Sequence, residues 1–254
     1  MTTGVEDAPE HGVQNAREHG VENARGNSVA HAAWWIRDAA RQGVAEAQLV
    51  YGQMHLDGHA VPVDPLAALH WFERAALGGN AMAMNMVGRC FDQGWGVPAS
   101  PEMAAPWFRR AAEAGLDWGM YNLGTLLTQG RGVPRDRREA LGWYRQAAAL
   151  GHAKSINLLG GFYEDGWEVE RDLQQAVECY RAAAIAGDFR GQFNYARLLL
   201  GECRVEEALH WLRRVPQTAT AAFLRKMVGF LASSPHDEVR AFAAAVDANL
   251  SPVS

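Results

Sequence analysis

Nine histidines, three cysteines and several adjacent carboxylates are the residues of this 254-residue chain that could do chemistry. His55 and His59 stand four apart, the spacing that offers two imidazoles to one metal ion from a single helical face. Gly58 falls between them and ends that helix, so the shared face is not expected to form. Cys90, Cys179 and Cys203 are odd in number and irregular in spacing, with no CxxC pair, and read as reduced thiols rather than a disulfide framework or a metal site. Glu206 and Glu207, near Asp188, fall on exposed helix faces, and nothing sets two carboxylates across a cleft. No GxGxxG, GxxxxGK[ST] or GxSxG occurs. A G-x-G does recur, but no strand precedes it and it repeats too often to be one phosphate site. The residues therefore predict no catalytic group, no cofactor and no metal. The competing reading is an enzyme or metal-dependent protein using His55, His59 and His70 around a pocket between repeats.

Composition narrows the partners. Lys and Arg number 24 against 29 Asp and Glu, a net charge of -5 that does not suit a protein wrapping phosphate backbones. RNA reading by a helical-repeat code, which needs a basic stripe, is disfavoured for the same reason. No apolar run approaches the ~20 residues of a membrane span, and the first residues lack the basic start and apolar stretch of a secretory signal. The expected compartment is the cytoplasm, of bacterial type. A hydrophobic share of 48% is enough for a packed core.

What must position any functional side chain is a repeat. Glycine stands at 43, 79, 115, 151 and 187, always 36 residues apart, and two further combs, Gly52, Gly88, Gly124, Gly160 and Gly58, Gly94, Gly130, Gly166, keep the same period. Trp35, Trp71, Trp107 and Trp143 follow it, with Cys179 in the fifth place, as do alanine pairs at 39/40, 75/76, 111/112, 147/148 and 183/184. In residues 116 to 151 the spacing of Met120, Leu123, Leu126 and Leu127 predicts a first helix ending near Gly130. Asp136 with Glu139 is a capping-box pattern that opens a second helix running to Gly151. Asp64-Pro65, Ser100-Pro101 and Asp172 with Gln175 repeat that start. Glycine inside the first helix costs it about 0.5 to 1 kcal/mol relative to alanine, so Gly52, Gly88, Gly124 and Gly160 require close approach of the partner helix, with Trp and Ala side chains filling the space beside them. Ala196 holds the fifth such place.

The units run 44 to 79, 80 to 115, 116 to 151 and 152 to 187, preceded by a partial unit 28 to 43 and followed by a shortened one, 188 to 215. Each buries its apolar face only against a neighbour. Residues 217 to 232 and 235 to 250 read as amphipathic helices, so 216 to 254 are expected to close the end of the stack. Residues 1 to 27, with the duplication EHGVQNAR and EHGVENAR, offer a core little and are expected to be a weakly ordered tail rather than a capping helix.

The segment AEAQLVYGQMHLDGHAVPVDPLAALHWFERAALGG resembles the Sel-one-like repeat (SLR) family, relatives of tetratricopeptide repeats, and GRGVPRDRREALGWYRQAAALG carries the pattern most fully. GWEVERDLQQAVECYRAAAIAG departs at Glu168 and Cys179. The resemblance covers residues 28 to about 215. It implies an all-α fold, a right-handed α/α solenoid of helix-loop-helix repeats, used as a scaffold or adaptor that holds a protein or peptide in a concave groove lined by first helices. It also places His55 at the family's aromatic packing position, a structural role. Disulfide-rich relatives carry a cysteine pair in each repeat, which this chain lacks.

By the same resemblance the groove row includes Met82, Asn85, Arg89, Trp118, Tyr121, Thr125, Lys154, Asn157, Arg190, Phe193 and Arg197. Trp, Tyr and Arg are enriched in binding hot spots, and a groove asparagine can bond an extended peptide backbone. Trp118 and Tyr121 at mid-array either meet a partner of some acidic character or pack between neighbouring first helices. The cations either meet that partner or are solvated charges offset by Glu46, Asp92 and Glu164. Trp95 and Trp167 hold the variable loop place, either as a second contact surface or folded over the adjacent helix end. The oligomeric state is left open.

Overall fold

The computed structural model describes residues 31–250. Those residues are all-α, with no strand among them. The expected tail at 1 to 27, the first three residues of the partial unit 28 to 43 and the last four residues lie outside the described residues. The described chain falls into two compact units divided after Ser100. The first holds a helical stretch at 31–41 (α1), then α2 (Ala45–Asp57), α3 (Pro65–Leu77) and α4 (Ala81–Gln93). The second holds α5 (Pro101–Glu113), α6 (Asp117–Gln129), α7 (Arg137–Ala149), α8 (Ala153–Asp165), α9 (Leu173–Ile185), α10 (Phe189–Gly201) and α11 (Val205–Leu212). A 3-10 turn at Val215–Gln217, α12 (Ala221–Leu231) and α13 (Asp237–Leu250) follow. Within each unit consecutive helices pack antiparallel-style on their sequence neighbours, as expected of a stack held by nearest-neighbour contacts.

Each glycine comb has its own physical cause. Gly43, Gly79, Gly115, Gly151 and Gly187 take φ between +85° and +93° just past the second helices. There the N–H of Gly151 reaches Ala148 and that of His152 reaches Ala147, and the same pair of bonds recurs at the other four turns. This is a Schellman ending, which needs a left-handed residue and so selects glycine. Gly58, Gly94, Gly130 and Gly166 end the first helices in the same left-handed region. The loop then closes through bonds from Asp64 N to His55 O, Asp136 N to Leu127 O and Asp172 N to Tyr163 O.

The third comb sits where the helices of one pair touch. A Cβ at Gly52, Gly124 or Gly160 would lie 2.7, 2.7 and 2.5 Å from the rings of Phe72, Tyr144 and Tyr180. The filler is thus the residue after the repeated tryptophan, not the tryptophan with the alanine pair expected from sequence. One residue of helix turns the side chain by about 100°, enough to exchange the partner face for the outside. The tryptophans lie half-exposed outside instead, where Arg74, Arg110 and Arg214 stack over Trp71, Trp107 and Trp211 at 5.0, 4.5 and 4.8 Å. A further small-residue position, at Gly119 and Gly191, admits the preceding second helix, since a Cβ there would fall 2.7 and 2.6 Å from the Cβ atoms of Ala111 and Ala183.

The Asp caps form as expected, with Asp64, Asp136 and Asp172 accepting from the N–H of Ala67, Glu139 and Gln175. The reciprocal half of the Asp136 box does not. Asp136 N is spent on Leu127, and the Glu139 carboxylate turns instead to Arg109 and the Trp143 indole at 2.7 and 3.1 Å. At the other end of the second unit, Leu199, Leu212, Val215, Met227, Leu231 and Val239 share one core, so α12 and α13 pack onto the α10–α11 pair.

Two substitutions probe this geometry from opposite sides. Glu168 occupies the loop place that Gly96 and Gly132 hold elsewhere and is forced to φ +58°. Glu168→Gly should raise stability by about 1 kcal/mol by removing left-handed strain. Gly160→Ala should lower it by about 2 kcal/mol despite better helix propensity, because Tyr180 is pinned by its bond to Glu164. Urea unfolding midpoints check both, and a higher midpoint for Gly160→Ala would contradict the close-approach account.

Candidate functional site

In the second unit the first helices α6, α8 and α10 meet along one face, and most of the expected groove residues lie on it. Trp118, 38% exposed, opens α6. Its ring meets the His152 ring edge-on at 4.7 Å, and Tyr121 lies 5.0 Å from the same histidine. Lys154 sets its ammonium 4.7 Å from the Trp118 centroid and 5.8 Å from that of Tyr121. The Thr125 hydroxyl donates to the Tyr121 carbonyl. The rings pack between first helices, one of the two sequence alternatives, while Trp118 keeps an open edge.

His152 is the member that sequence reasoning missed. It caps α8, and its ring is 6% exposed. Nδ1 accepts the Ser155 N–H at 3.3 Å and stands 2.9 Å from the Ser155 hydroxyl. A backbone N–H can only donate, so Nδ1 is the bare nitrogen and Nε2 carries the proton. Burial pushes the His152 pKa below the ordinary histidine value, aided by Lys154 and opposed by Asp117 and Asp188. The available signal was register. Val44, Asn80, Leu116, His152 and Asp188 occupy the same cap place at intervals of 36, and three of the five carry a capping side chain.

Other expected groove residues are engaged within the chain. Asn157 is buried and accepts from the Asn194 amide at 2.9 Å, tying α8 to α10. Arg197 donates to Glu164 at 2.6 Å, and the Tyr180 hydroxyl donates to the same oxygen at 2.7 Å. Burial raises the Glu164 carboxyl, but these two donors outweigh it and hold its pKa below the ordinary value. Arg190 lies over Phe189 at 4.5 Å, and Phe193 edges Phe223 and Phe230 of α12 at 5.7 and 5.5 Å. The closing helix thus covers the α10 end of the row. Glu164, one of the three acids expected to offset the cations as a group, is the partner of Arg197.

In the first unit Met82 is partly exposed, and with Leu49, Val50, Met54 and Met86 it lines an apolar hollow of about 440 Å³. Asn85 is buried. Arg89 lies over the Trp95 ring at 4.7 Å, and in the second unit Arg137 lies over Trp167 at 4.1 Å while Phe162 meets its edge. Both loop rings therefore fold against their own unit. The three histidines of the metal reading have separate surroundings. His55 meets Tyr51, His59 borders the Met82 hollow and His70 stands beside Trp71. Among the described residues no three His, Cys, Asp or Glu side chains come together as a metal ion would require. No described helix is long and apolar enough to cross a membrane. Cys90 is buried and its thiol is pushed up to about 12 by desolvation, an inert setting.

Helix pairs repeated every 36 residues, each resting on the next, define an α-solenoid. Residues 45–80, 81–116, 119–152 and 153–188 each match the Sel1 repeat model, together more than half of the chain, and the chain belongs to the Sel1 repeat family. Solved structures agree on the fold. A Sel1 repeat protein from Oxalobacter formigenes is 23% identical with a TM-score of 0.77, the match covering 93% of this chain and 96% of that one. A protective antigen of uropathogenic Escherichia coli strains with an SLR fold is 26% identical with a TM-score of 0.69 over 87% of this chain, which spans about half (49%) of that protein. Among curated proteins none matches. Sel1 repeat solenoids are in general non-catalytic scaffolds for protein-protein interaction.

Two titrations follow from this geometry. As pH falls below the ordinary histidine value of 6.5, the unfolded chain takes up a proton that folded His152 resists, so stability declines. His152→Asn keeps a capping oxygen and should flatten the loss between about pH 7 and pH 5 in thermal melts. Glu164→Gln should cost about 1 to 2 kcal/mol near neutrality. Its deficit should vanish as pH falls through the depressed folded value, where wild-type Glu164 is itself protonated.

Proposed function

We propose that this chain is a non-catalytic scaffold or adaptor that holds a peptide or protein partner against the first-helix face of its second unit, in a bacterial-type cytoplasm. The observation that carries the reading is the Trp118, Tyr121 and Lys154 cluster, an aromatic anchor with an open edge and a cation stacked on it. Rigid aromatics beside cations are the side chains that dominate binding energy when a partner covers them. Asn157, Arg190, Phe193 and Arg197 serve this face by holding α8, α10 and α12 in register beneath it. Thr125 supports Tyr121 from below. In the first unit Met82 offers an adaptable apolar contact, the usual behaviour of methionine at binding surfaces, beside buried Asn85 and the Arg89–Trp95 stack. The net charge of -5 keeps nucleic acid out of the reading.

Affinity capture from the native host with the tagged full chain, read by mass spectrometry, tests it. Trp118→Ala should reduce recovery of the retained protein by at least about thirtyfold, the scale of a ~2 kcal/mol hot spot. Arg89→Ala and His55→Ala should change it much less. Equal recovery with Trp118→Ala would remove the face from consideration.

A further inference from the structure

In the second unit two polar ties join the first helices α8 and α10, Asn157 with Asn194 and Glu164 with Arg197. The 36-residue period puts Leu49 and Met86 in the places of the two asparagines and Leu56 in the place of Glu164, so α2 and α4 can form neither tie. Between these two helices lies instead the hollow of about 440 Å³, with Leu49, Val50, Met54, Met82 and Met86 in its walls. Val50 is 45% exposed there and Met82 37%. We propose that this hollow seats aliphatic side chains of a partner peptide that carries a lysine or arginine beside them, the cation meeting the Asp57 carboxylate at the rim. The proposal rests on the reading of this chain as a peptide-holding scaffold, but not on the Trp118 cluster.

The walls and the rim together choose the occupant. The volume lies within the roughly 300–1,000 Å³ of ligand clefts, more than one aliphatic side chain fills. Three of the five apolar residues are methionines, whose unbranched thioether chains repack around apolar groups of different shape. Contiguous apolar surface left open in this way marks a contact site. The rim adds charge of one sign. Asp57 is exposed and both its oxygens accept from the Gln53 amide at 2.9 Å, while no ion pair neutralises it among the described residues. Its negative charge therefore remains for a partner's cation, and their attraction strengthens where the seated aliphatic chains exclude water. His59 is the other residue at that edge. Along α2 and α4 the acids Glu46, Asp57 and Asp92 face a single arginine, Arg89, which is held over the Trp95 ring. The chain's own first 27 residues have the wrong chemistry to fill the hollow, with no Leu, Ile, Phe, Tyr or Trp and five acids against two arginines.

The test follows the methionine methyl signals of the isotope-labelled full chain by NMR, assigned with Met82→Leu and Met86→Leu among others, during titration with acetyl-Leu-Leu-Lys amide. A saturable shift at Met82 and Met86 is expected with an apparent Kd of about 1 mM, while Met103 and Met227 stay in place. Acetyl-Leu-Leu-Glu amide and acetyl-Ala-Ala-Lys amide should each bind about tenfold more weakly. Asp57→Asn should cut the preference for lysine over glutamate to about twofold or less, and Val50→Gln should weaken the lysine peptide about fivefold. Failure to saturate up to about 20 mM, equal binding of the glutamate or alanine peptide, or equal shifts at Met103 would each overturn the assignment. So would a dimer in sedimentation that Val50→Gln dissolves, because the hollow would then belong to a second copy. If the peptide fails while Trp118→Ala abolishes capture of the partner, the hollow falls and the second-unit face stands. If the peptide binds while Trp118→Ala leaves capture unchanged, the hollow stands and that face falls.

Discussion

Close approach of helices through small residues is the constraint on which the molecule depends. Within a pair, a ring from the second helix lies directly on a glycine of the first, as Tyr144 does on Gly124 and Tyr180 on Gly160. Between pairs in the second unit, Gly119 and Gly191 lie on Ala111 and Ala183. Neither contact tolerates a larger side chain without displacing the ring or the helix against it, so the inner glycines and the glycine–alanine contacts are two seams of the packing. The helix-propensity cost of each inner glycine is local and about 1 kcal/mol, whereas burying a Phe or Tyr ring against bare backbone stabilises by about 2 to 3 kcal/mol. Packing therefore wins at Gly52, Gly124 and Gly160.

A stack built this way has little freedom in its interior and much on its first-helix face. The inner positions are fixed as Gly, Ala and aromatic, and the caps and turns are fixed by Schellman and Asp geometry. The face that α6, α8 and α10 share carries no such demand, which is where Trp118, Tyr121, Asn157, Lys154 and Arg197 differ from unit to unit. Some of that variety is used internally. The Asn157–Asn194 and Glu164–Arg197 bonds each join adjacent first helices, and a charged pair that also holds the Tyr180 hydroxyl couples this face to the glycine seam beneath it. The first-helix face and the core are thus mechanically linked through Tyr180, not merely adjacent.

The fold was legible in the sequence because periodicity survives substitution. Two glycine combs located the turns of the four complete units, and Asp-Pro and Asp-x-x-Gln starts located second helices. What sequence left open was rotation. A 36-residue period says which residues are equivalent but not which face they occupy, so the tryptophan row, more conspicuous than the Phe and Tyr one place later, was assigned the filling role that Phe72, Tyr144 and Tyr180 perform. The capping box at Asp136 failed for a related reason. Local pattern supplied a partner for Glu139, but Arg109, thirty residues earlier, made a better one. Groove residues suffered most. Analogy named positions and could not see that α12 covers Phe193 or that Asn157 is paired with Asn194.

The cap place at residue 152 shows how a repeat acquires a specific site. Its four counterparts are apolar or simple caps, and a serine or asparagine there would cap α8 equally well. Histidine does something they cannot. One ring nitrogen satisfies the Ser155 N–H while the flat ring spans the gap to Trp118 and Tyr121, which puts the second nitrogen, as a donor, where a small residue would leave none. The cap geometry fixes the tautomer, and the aromatic pair fixes the ring plane. The low polarity that lowers the histidine pKa also strengthens any hydrogen bond made by the neutral ring. A structural requirement of the helix is thereby satisfied with an aromatic heterocycle that also packs α8 against α6, so one side chain serves both the cap and the contact between first helices.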